Sequence, residues 1–412
     1  MPDLRNLKEH YGLHSRSVVL FLLASFLTHS TLGALNVVLN LYLISLGYTE
    51  EFVGLILSIK LFTSGLACIP AGVVCSRWGV RKGLQISSLS LGSGVLLLTI
   101  TDMPVVLALG AVLIGIAQAA KATSAPPFLV ENSTPRIRQN LFSLNFALMM
   151  FANMAGNALA GLLPGFWVDA LSGYTGTLHV YGAVSLLSLL PLLGVAAARP
   201  VAVTKRASLW HGITMLRTQK VLMRLLLCHA LIGFGAGLIV PLFNIFLSNK
   251  LGAGSGQIGI IMSLAQVGTA IGALVVPFIV IRLGRIATVS VLRAASIPFL
   301  ILIATFTNVY GVATVFFLRS SLMNMTNPVE SNFAMEMVGS EQRPVWSSML
   351  KTMDTLTRGI SVLIGGWLMA RFSYNLPYYF TCGLYLVTSI FYWIWFRDAE
   401  RQQTGRSFGE AG

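Results

Sequence analysis

Eight residues of this 412-residue chain return after a constant interval of 205 positions. Gly54, Ser58, Arg77, Gly79, Glu131, Arg138, Ser143 and Gly161 recur as Gly259, Ser263, Arg282, Gly284, Glu336, Arg343, Ser348 and Gly366. Asn40 recurs as Asn244, one step out of register. Apolar letters coincide by chance in any hydrophobic chain. Charged residues make up only 10% of this one, so the return of Arg, Glu and Arg in one register marks a duplication. The chain is therefore expected to fold as two related halves, the organisation of membrane proteins whose solute sites lie between internal repeats.

Hydrophobic residues make up 55% of the sequence, whereas a soluble domain is about 25% charged. Apolar runs of roughly 20 residues recur throughout, each long enough to cross a bilayer. They are continuous rather than alternating, which excludes barrel strands. Twelve helices are predicted at about 17–46, 52–75, 83–101, 104–130, 139–164, 177–198, 221–248, 257–281, 286–306, 309–336, 344–370 and 376–396. The expected fold is an all-α membrane protein of twelve transmembrane helices in two pseudo-symmetric six-helix bundles. Residues 1–198 would form the first half and 221–412 the second, ending in a short polar tail. The polar stretch 199–220, with Arg199, Lys205, Arg206, His211, Arg217 and Lys220, reads as the linker.

The net charge of +14 suggests a nucleic-acid partner until the charges are mapped. With the N-terminus in the cytoplasm, twenty of the 28 Lys and Arg, Arg5 and Lys8 among them, fall in cytoplasmic segments; Lys250 and Arg371 alone fall on the far side. This is the asymmetry of a protein inserted with its positive loops inside. It places both termini in the cytoplasm and the chain in the plasma (inner) membrane, with affinity for anionic lipid and no need of nucleic acid. Residues 1–16 carry both signs of charge and the first apolar run is too long for a cleaved signal, so helix 1 reads as a span. Cys68, Cys75, Cys228 and Cys382 form no C-x-x-C pair and read as small hydrophobes between helices. Gly233, Gly235 and Gly237 lie inside an apolar helix with no strand before them, which excludes a nucleotide loop and favours close helix packing. Gly156, Ala160, Gly161, Gly365 and Gly366 fit the same packing role. No metal set, catalytic arrangement or ATP-binding segment is present in the pattern, so no enzyme, metal or cofactor is expected; the chain reads as a monomer.

The stretch Gly72-Val-Val-Cys-Ser76-Arg77-Trp-Gly79-Val-Arg81-Lys82 joins helices 2 and 3. It resembles the signature loop of the major facilitator superfamily, roughly G-x-x-x-D-R-x-G-R-[RK], except that Ser76 stands where the family has Asp. A worn copy, Arg282-Leu-Gly284-Arg285, opens the corresponding turn of the second half. A tight turn between two helices needs Gly at its bend. Glu131 and Glu336 end helices 4 and 10 on the same side, so Arg77 or Arg81 can meet Glu131, and Arg282 or Arg285 can meet Glu336. The resemblance implies that such pairs, with Arg138 and Arg343, form a cytoplasmic gate.

Seven charges lie within the apolar runs: Lys60, Lys121, Arg319, Glu330, Lys351, Asp354 and Arg358. A charge near the bilayer centre costs at least ~2.5 kcal/mol and normally faces a cavity or a partner. The resemblance implies that helices 1, 2, 4, 5, 7, 8, 10 and 11 surround a central cavity, and all seven belong to that set. Arg293 of helix 9 is the exception and is expected to snorkel to the interface. Asp354 and Arg358 share a helical face, with Lys351 beside them. Five of the seven are basic, which favours an anionic solute. Lys60, Lys121, Arg319 and Arg358, with Asn36, Asn153 and Asn324, are the candidate substrate contacts, and Asp354 and Glu330 the candidate proton sites, since burial disfavours a charged carboxylate. Further polar residues are Asn40 in helix 1, Asn145 and Asn157 in helix 5, Asn244 in helix 7 and Asn327 in helix 10. His29 and His229 rank below the carboxylates as proton carriers. Pro126-Pro127 and Pro328 are expected to interrupt helices 4 and 10 and expose backbone groups.

The expected activity is secondary active transport of a small organic solute by alternating access, driven by its gradient or by protons. Two alternatives stay open. A drug/proton efflux antiporter would carry a Gly-Pro step in helix 5, where this chain has Gly156-Asn-Ala-Leu-Ala-Gly161-Leu-Leu-Pro164-Gly165. A solute sensor that does not transport would need a large soluble region.

Overall fold

The computed structural model describes residues 15–196, 220–339 and 342–409. Except for Lys220 the linker expected at 199–220 lies outside them, as do Arg5 and Lys8. The described residues contain no strand. Their helices are α1 (Arg16–Ser45), α2 (Glu50–Trp78), α3 (Val80–Leu97), α4 (Pro104–Glu131), α5 (Pro135–Leu162), α6 (Ala170–Leu187, prolonged by Leu189–Leu193) and α7 (Lys220–Ile239, continued by irregular turns to Lys250). They continue with α8 (Ser255–Leu283), α9 (Arg285–Thr305), α10 (Val309–Asn324, resuming as Thr326–Glu336), α11 (Arg343–Arg371) and α12 (Leu376–Gly409).

Nine of these are long and apolar enough to cross a membrane, among the described residues. The other three explain themselves. Helix α3 is short and opens on Arg81 and Lys82, α10 is broken, and α11 carries Lys351, Asp354 and Arg358. The break in α10 falls at Met325, three residues before Pro328, whose missing N–H leaves the carbonyl of Asn324 without its helical donor. The matching expectation for α4 is corrected: the helix runs unbroken through Pro126 and Pro127 to Glu131. Two adjacent prolines cost one turn of hydrogen bonds, and the packing of α4 against α2 and α3 holds the helix together there.

The chain divides into two compact units. Among the described residues, one holds 15–196 with 247–263, and the other 220–246 with 264–409. In the first, α1 packs on α5 and α6, α2 on α4, and α3 on α4 and α6. In the second, α7 packs on α11 and α12, and α9 on α10 and α12. Each unit has its own core at one end, and the two cores are built from equivalent positions. Val18, Phe21, Leu22 and Ala24 of the first correspond to Leu222, Leu225, Leu226 and Cys228 of the second, at an interval of 204. Leu84, Phe128 and Leu141 correspond to Val289, Phe333 and Trp346, at an interval of 205. The duplication that the scarce charges signalled thus extends through the apolar residues, where letter identity is too weak to show it.

The α2–α3 and α8–α9 turns repeat as backbone too. Gly79 has φ 85 and ψ 158, and Gly284 has φ 83 and ψ 166. An L side chain rarely adopts that φ, so both turns need Gly.

Candidate functional site

In the second unit, a cavity of about 440 Å³ opens among α7, α9, α10 and α11. Its polar lining comprises His229, Arg293, Asn327, Glu330, Ser331, Ser347, Lys351, Asp354 and Arg358. Two ion groups organise it. The carboxylate of Glu330, 4% exposed, accepts a hydrogen bond from Arg293 Nη2, and Arg293 is 1% exposed. The other Glu330 oxygen stands 3.5 Å from His229 Nε2. Asp354 accepts from Arg358 Nε at 2.8 Å and lies 3.7 Å from Lys351 Nζ. The i,i+3 and i,i+4 spacings along α11 produce this second group directly.

The first group corrects the reading of Arg293. It does not reach the interface. Arg293 lies eight residues into α9, about 12 Å along the axis at 1.5 Å per residue. Its guanidinium turns inward to Glu330 and sits 5.5 Å from the centroid of the Tyr392 ring of α12. Arg293 Nε and Nη1 have no hydrogen-bond partner, so the carboxylate is its principal counter-charge. His229 and Glu330 come from residues 101 positions apart, and Arg293 and Glu330 from residues 37 apart. No local pattern joins them. The available signal was weaker: an Arg in an outer helix implies a buried partner, and Glu330 was a carboxylate without one.

Close approach of α7 to α11 makes the cluster possible. A Cβ at Gly233 would stand 3.0 Å from Asp354 Oδ1, and one at Gly237 would stand 2.8 Å from the Cα of Arg358. Gly233 and Gly237 are therefore a packing surface under the ion pairs, while Gly235 faces Tyr385 of α12.

The remaining sequence-derived candidates are dispersed. Arg319 does not line this cavity. It is 4% exposed, donates to the Tyr385 hydroxyl at 3.0 Å, and borders a separate space of about 10 Å³ walled by Ile239, Phe243, Leu300 and Tyr378. Asn324 donates to Thr269 Oγ1 at 2.9 Å. In the first unit, Lys121 donates to Thr28 Oγ1 and lies 3.5 Å from the Ser25 carbonyl. Asn153 donates to Met149 O at 2.8 Å, Asn36 is exposed on α1, and Lys60 is half-buried on α2. Among the described residues, neither Lys60 nor Lys121 has a carboxylate within 4 Å.

The Arg–Glu ion pair expected at these turns is present in one unit. Arg285 Nη1 meets Glu336 Oε2 at 2.5 Å, while Arg282 is exposed. In the first unit, no ion pair joins Glu131 to Arg77 or Arg81 among the described residues. The repeat supplies the reason: the position equivalent to Arg285 is Val80. Arg81, one residue on, turns about 100° round the helix and donates to Leu193 O at 2.6 Å. Arg138 and Arg343 act alike. Each donates to a carbonyl that closes the preceding helix, Ser133 O at 3.4 Å and Met335 O at 3.1 Å, where the helix C-terminus favours a cation.

Comparison with known structures fits this geometry. The nucleoside transporter NupG is 15% identical, with 93% of this chain and 100% of that one covered and a TM-score of 0.78. A bacterial homologue of the human lysosomal transporter Spinster is 14% identical, with coverage of 93% and 97% and a TM-score of 0.76. A D-xylose–proton symporter is 16% identical, with coverage of 93% and 97% and a TM-score of 0.70. No curated protein matches the sequence. The fold is that of a multi-pass membrane transporter. The Major Facilitator Superfamily profile matches residues 21–228 and 225–411. The chain belongs to that superfamily and is a transporter of solutes.

Proposed function

We propose that this transporter moves a small organic anion by alternating access, coupled to protons, across the plasma membrane with both termini in the cytoplasm. The observation that carries the reading is the cavity of the second unit, where Arg293, Lys351 and Arg358 face only Glu330 and Asp354. One cation of this lining is left over. A proton on Asp354 neutralises the charge that holds Arg358 and Lys351, and these cations then receive the anionic group of the solute. Loss of the proton restores the Asp354 pair and expels the anion. Glu330 forms a second proton station with His229, whose Nε2 stands 3.5 Å from its carboxylate. Proton coupling is the named property of one structural relative, the D-xylose–proton symporter.

The gate of this reading is Arg285–Glu336, set by the turn at Gly284. Arg77, Gly79, Arg81 and Glu131 form its counterpart, which closes in another state of the cycle. Arg138, Arg282 and Arg343 flank the same turns.

The test is uptake into proteoliposomes with an imposed pH gradient, using a mixed panel of anionic metabolites, sugars and cationic drugs. An anion is expected to accumulate only when the lumen is alkaline, and Asp354→Asn is expected to abolish this. Movement of cationic drugs against the proton gradient would refute the reading in favour of an efflux antiporter. Solute binding without flux would favour a sensor.

A further inference from the structure

A second large space lies in the first unit and takes no part in this mechanism. It is a groove of about 480 Å³ between α2, α3 and α4, walled by apolar side chains such as Leu66, Pro70 and Val74 of α2, Ile86 of α3 and Ile116 of α4. Its origin is local. The first half of α2 is held tightly on α4, where a Cβ at Gly115 would stand 2.6 Å from Lys60 O. The start of α3 is held on α4 as well, where a Cβ at Gly83 would collide with Ser124. The second half of α2 carries Pro70, whose missing N–H deprives Leu66 O of its helical donor, and meets the core of the unit again at Cys75. Apolar walls such as these gain dispersion contacts from whatever apolar chain lies against them. At membrane depth, hydrocarbon is the medium that fills it.

The end of the groove is charged with one sign. On α2, Arg77 follows Val74 by three residues, and on α3, Lys82 precedes Ile86 by four. Both spacings put the cation on the helical face that lines the groove, one turn nearer the interface. Arg77 and Lys82 are exposed, and neither has a carboxylate within 4 Å among the described residues. Arg81 is engaged with Leu193 O. At position 76, where the superfamily's loop carries Asp, the Ser76 hydroxyl donates to Val73 O at 2.9 Å. The turn itself carries cations and no acid, and nearby Glu131 makes no ion pair with Arg77 among the described residues. Trp78 is 66% exposed beside it, at the level where membrane proteins concentrate Trp.

We propose that this groove binds one anionic phospholipid. An acyl chain lies along α2 from Leu66 to Val74, a length of about 12 Å at 1.5 Å per residue, and the phosphate sits between Arg77 and Lys82. Ser76 in place of an acid is what makes the site anion-selective.

The experiment uses the full-length protein in mixed micelles holding phosphatidylglycerol and phosphatidylcholine of matched chains in equal amount. Lipid that survives washing is counted by mass spectrometry. One phosphatidylglycerol per protein is expected, at several-fold excess over phosphatidylcholine. The double variant Arg77→Gln/Lys82→Gln is expected to bring the two lipids to parity, and Ser76→Asp to reduce the excess. Ala71→Phe, which fills the groove, is expected to reduce retention of both lipids; Ala67→Leu serves the same purpose should that variant fail to fold. Equal retention of the two lipids by the parent protein overturns the proposal. So does a preference untouched by the double variant, or displacement of phosphatidylglycerol by millimolar inorganic phosphate, which would mark a headgroup site without a chain.

Discussion

The ion pair between Arg293 and Glu330 makes a demanding test of the second unit. Both side chains are at most 5% exposed, and the guanidinium has two further nitrogens without partners. Removing one member of such a pair strands a buried charge and costs about 3–5 kcal/mol, whereas replacing both with apolar residues is neutral or stabilising. Arg293→Met leaves Glu330 with His229 alone at 3.5 Å. Glu330→Gln leaves Arg293 with an amide and the face of Tyr392. For a cooperative unit of about 150–250 residues, each kcal/mol moves the midpoint by ~2–4 °C, so either single variant is expected to melt about 6–20 °C below the parent. The double variant Arg293→Met/Glu330→Met is expected to recover most of that loss. Cys228 supplies the assay, because it is fully buried in the core of this unit. With Cys68, Cys75 and Cys382 replaced by Ala, a thiol-reactive dye reports the unfolding of that core on heating. Single variants within about 2 °C of the parent, or a double variant as unstable as the worse single, would refute a buried, mutually dependent charge pair.

Three other outcomes follow from the same geometry. His229→Asn is expected to alter the pH dependence of uptake, because it takes the imidazole from beside the Glu330 carboxylate, with solute binding at fixed pH changed less than twofold; an unaltered pH profile would remove His229 from the proton path. Arg285→Glu and Glu336→Arg are each expected to change the reactivity of cysteines placed beside the α8–α9 turn, and the swapped pair to restore it; stability should move by only about 0.2–1 kcal/mol, because both side chains are some 40% exposed. Gly237→Val is expected to destabilise the second unit by about 1–3 kcal/mol, since the new Cβ meets the backbone of Arg358; a variant with parental stability and uptake would show that α7 and α11 do not need this approach.

Much of this molecule is legible in one dimension. Hydrocarbon leaves backbone groups no partner but the helix, so long apolar runs dictate helices; most ends lie within a few residues of those expected, but α6 begins at Ala170 rather than 177 and α12 continues to Gly409 rather than 396. The 205-residue interval indicates two like halves because scarce charges carry more information than abundant leucines. The Asp354, Arg358 and Lys351 group was also readable, because i,i+3 and i,i+4 contacts belong to a single helix. Other features required the tertiary structure. Sequence spacing is silent on whether Arg293 of α9 points to lipid or to Glu330 of α10, because that depends on how two helices are rotated about their axes. It is equally silent on Arg319, which the packing of α10 turns to Tyr385 rather than to the polar cavity. The repeat aligned Glu131 with Glu336, yet among the described residues Glu336 is ion-paired and Glu131 is not, because one position of difference, Val80 against Arg285, changes which face of the helix is charged. Pro126 and Pro127 were expected to break α4 and do not, whereas α10 breaks before Pro328. Local chemistry sets the cost of a missing donor, and neighbouring helices decide whether that cost bends the chain.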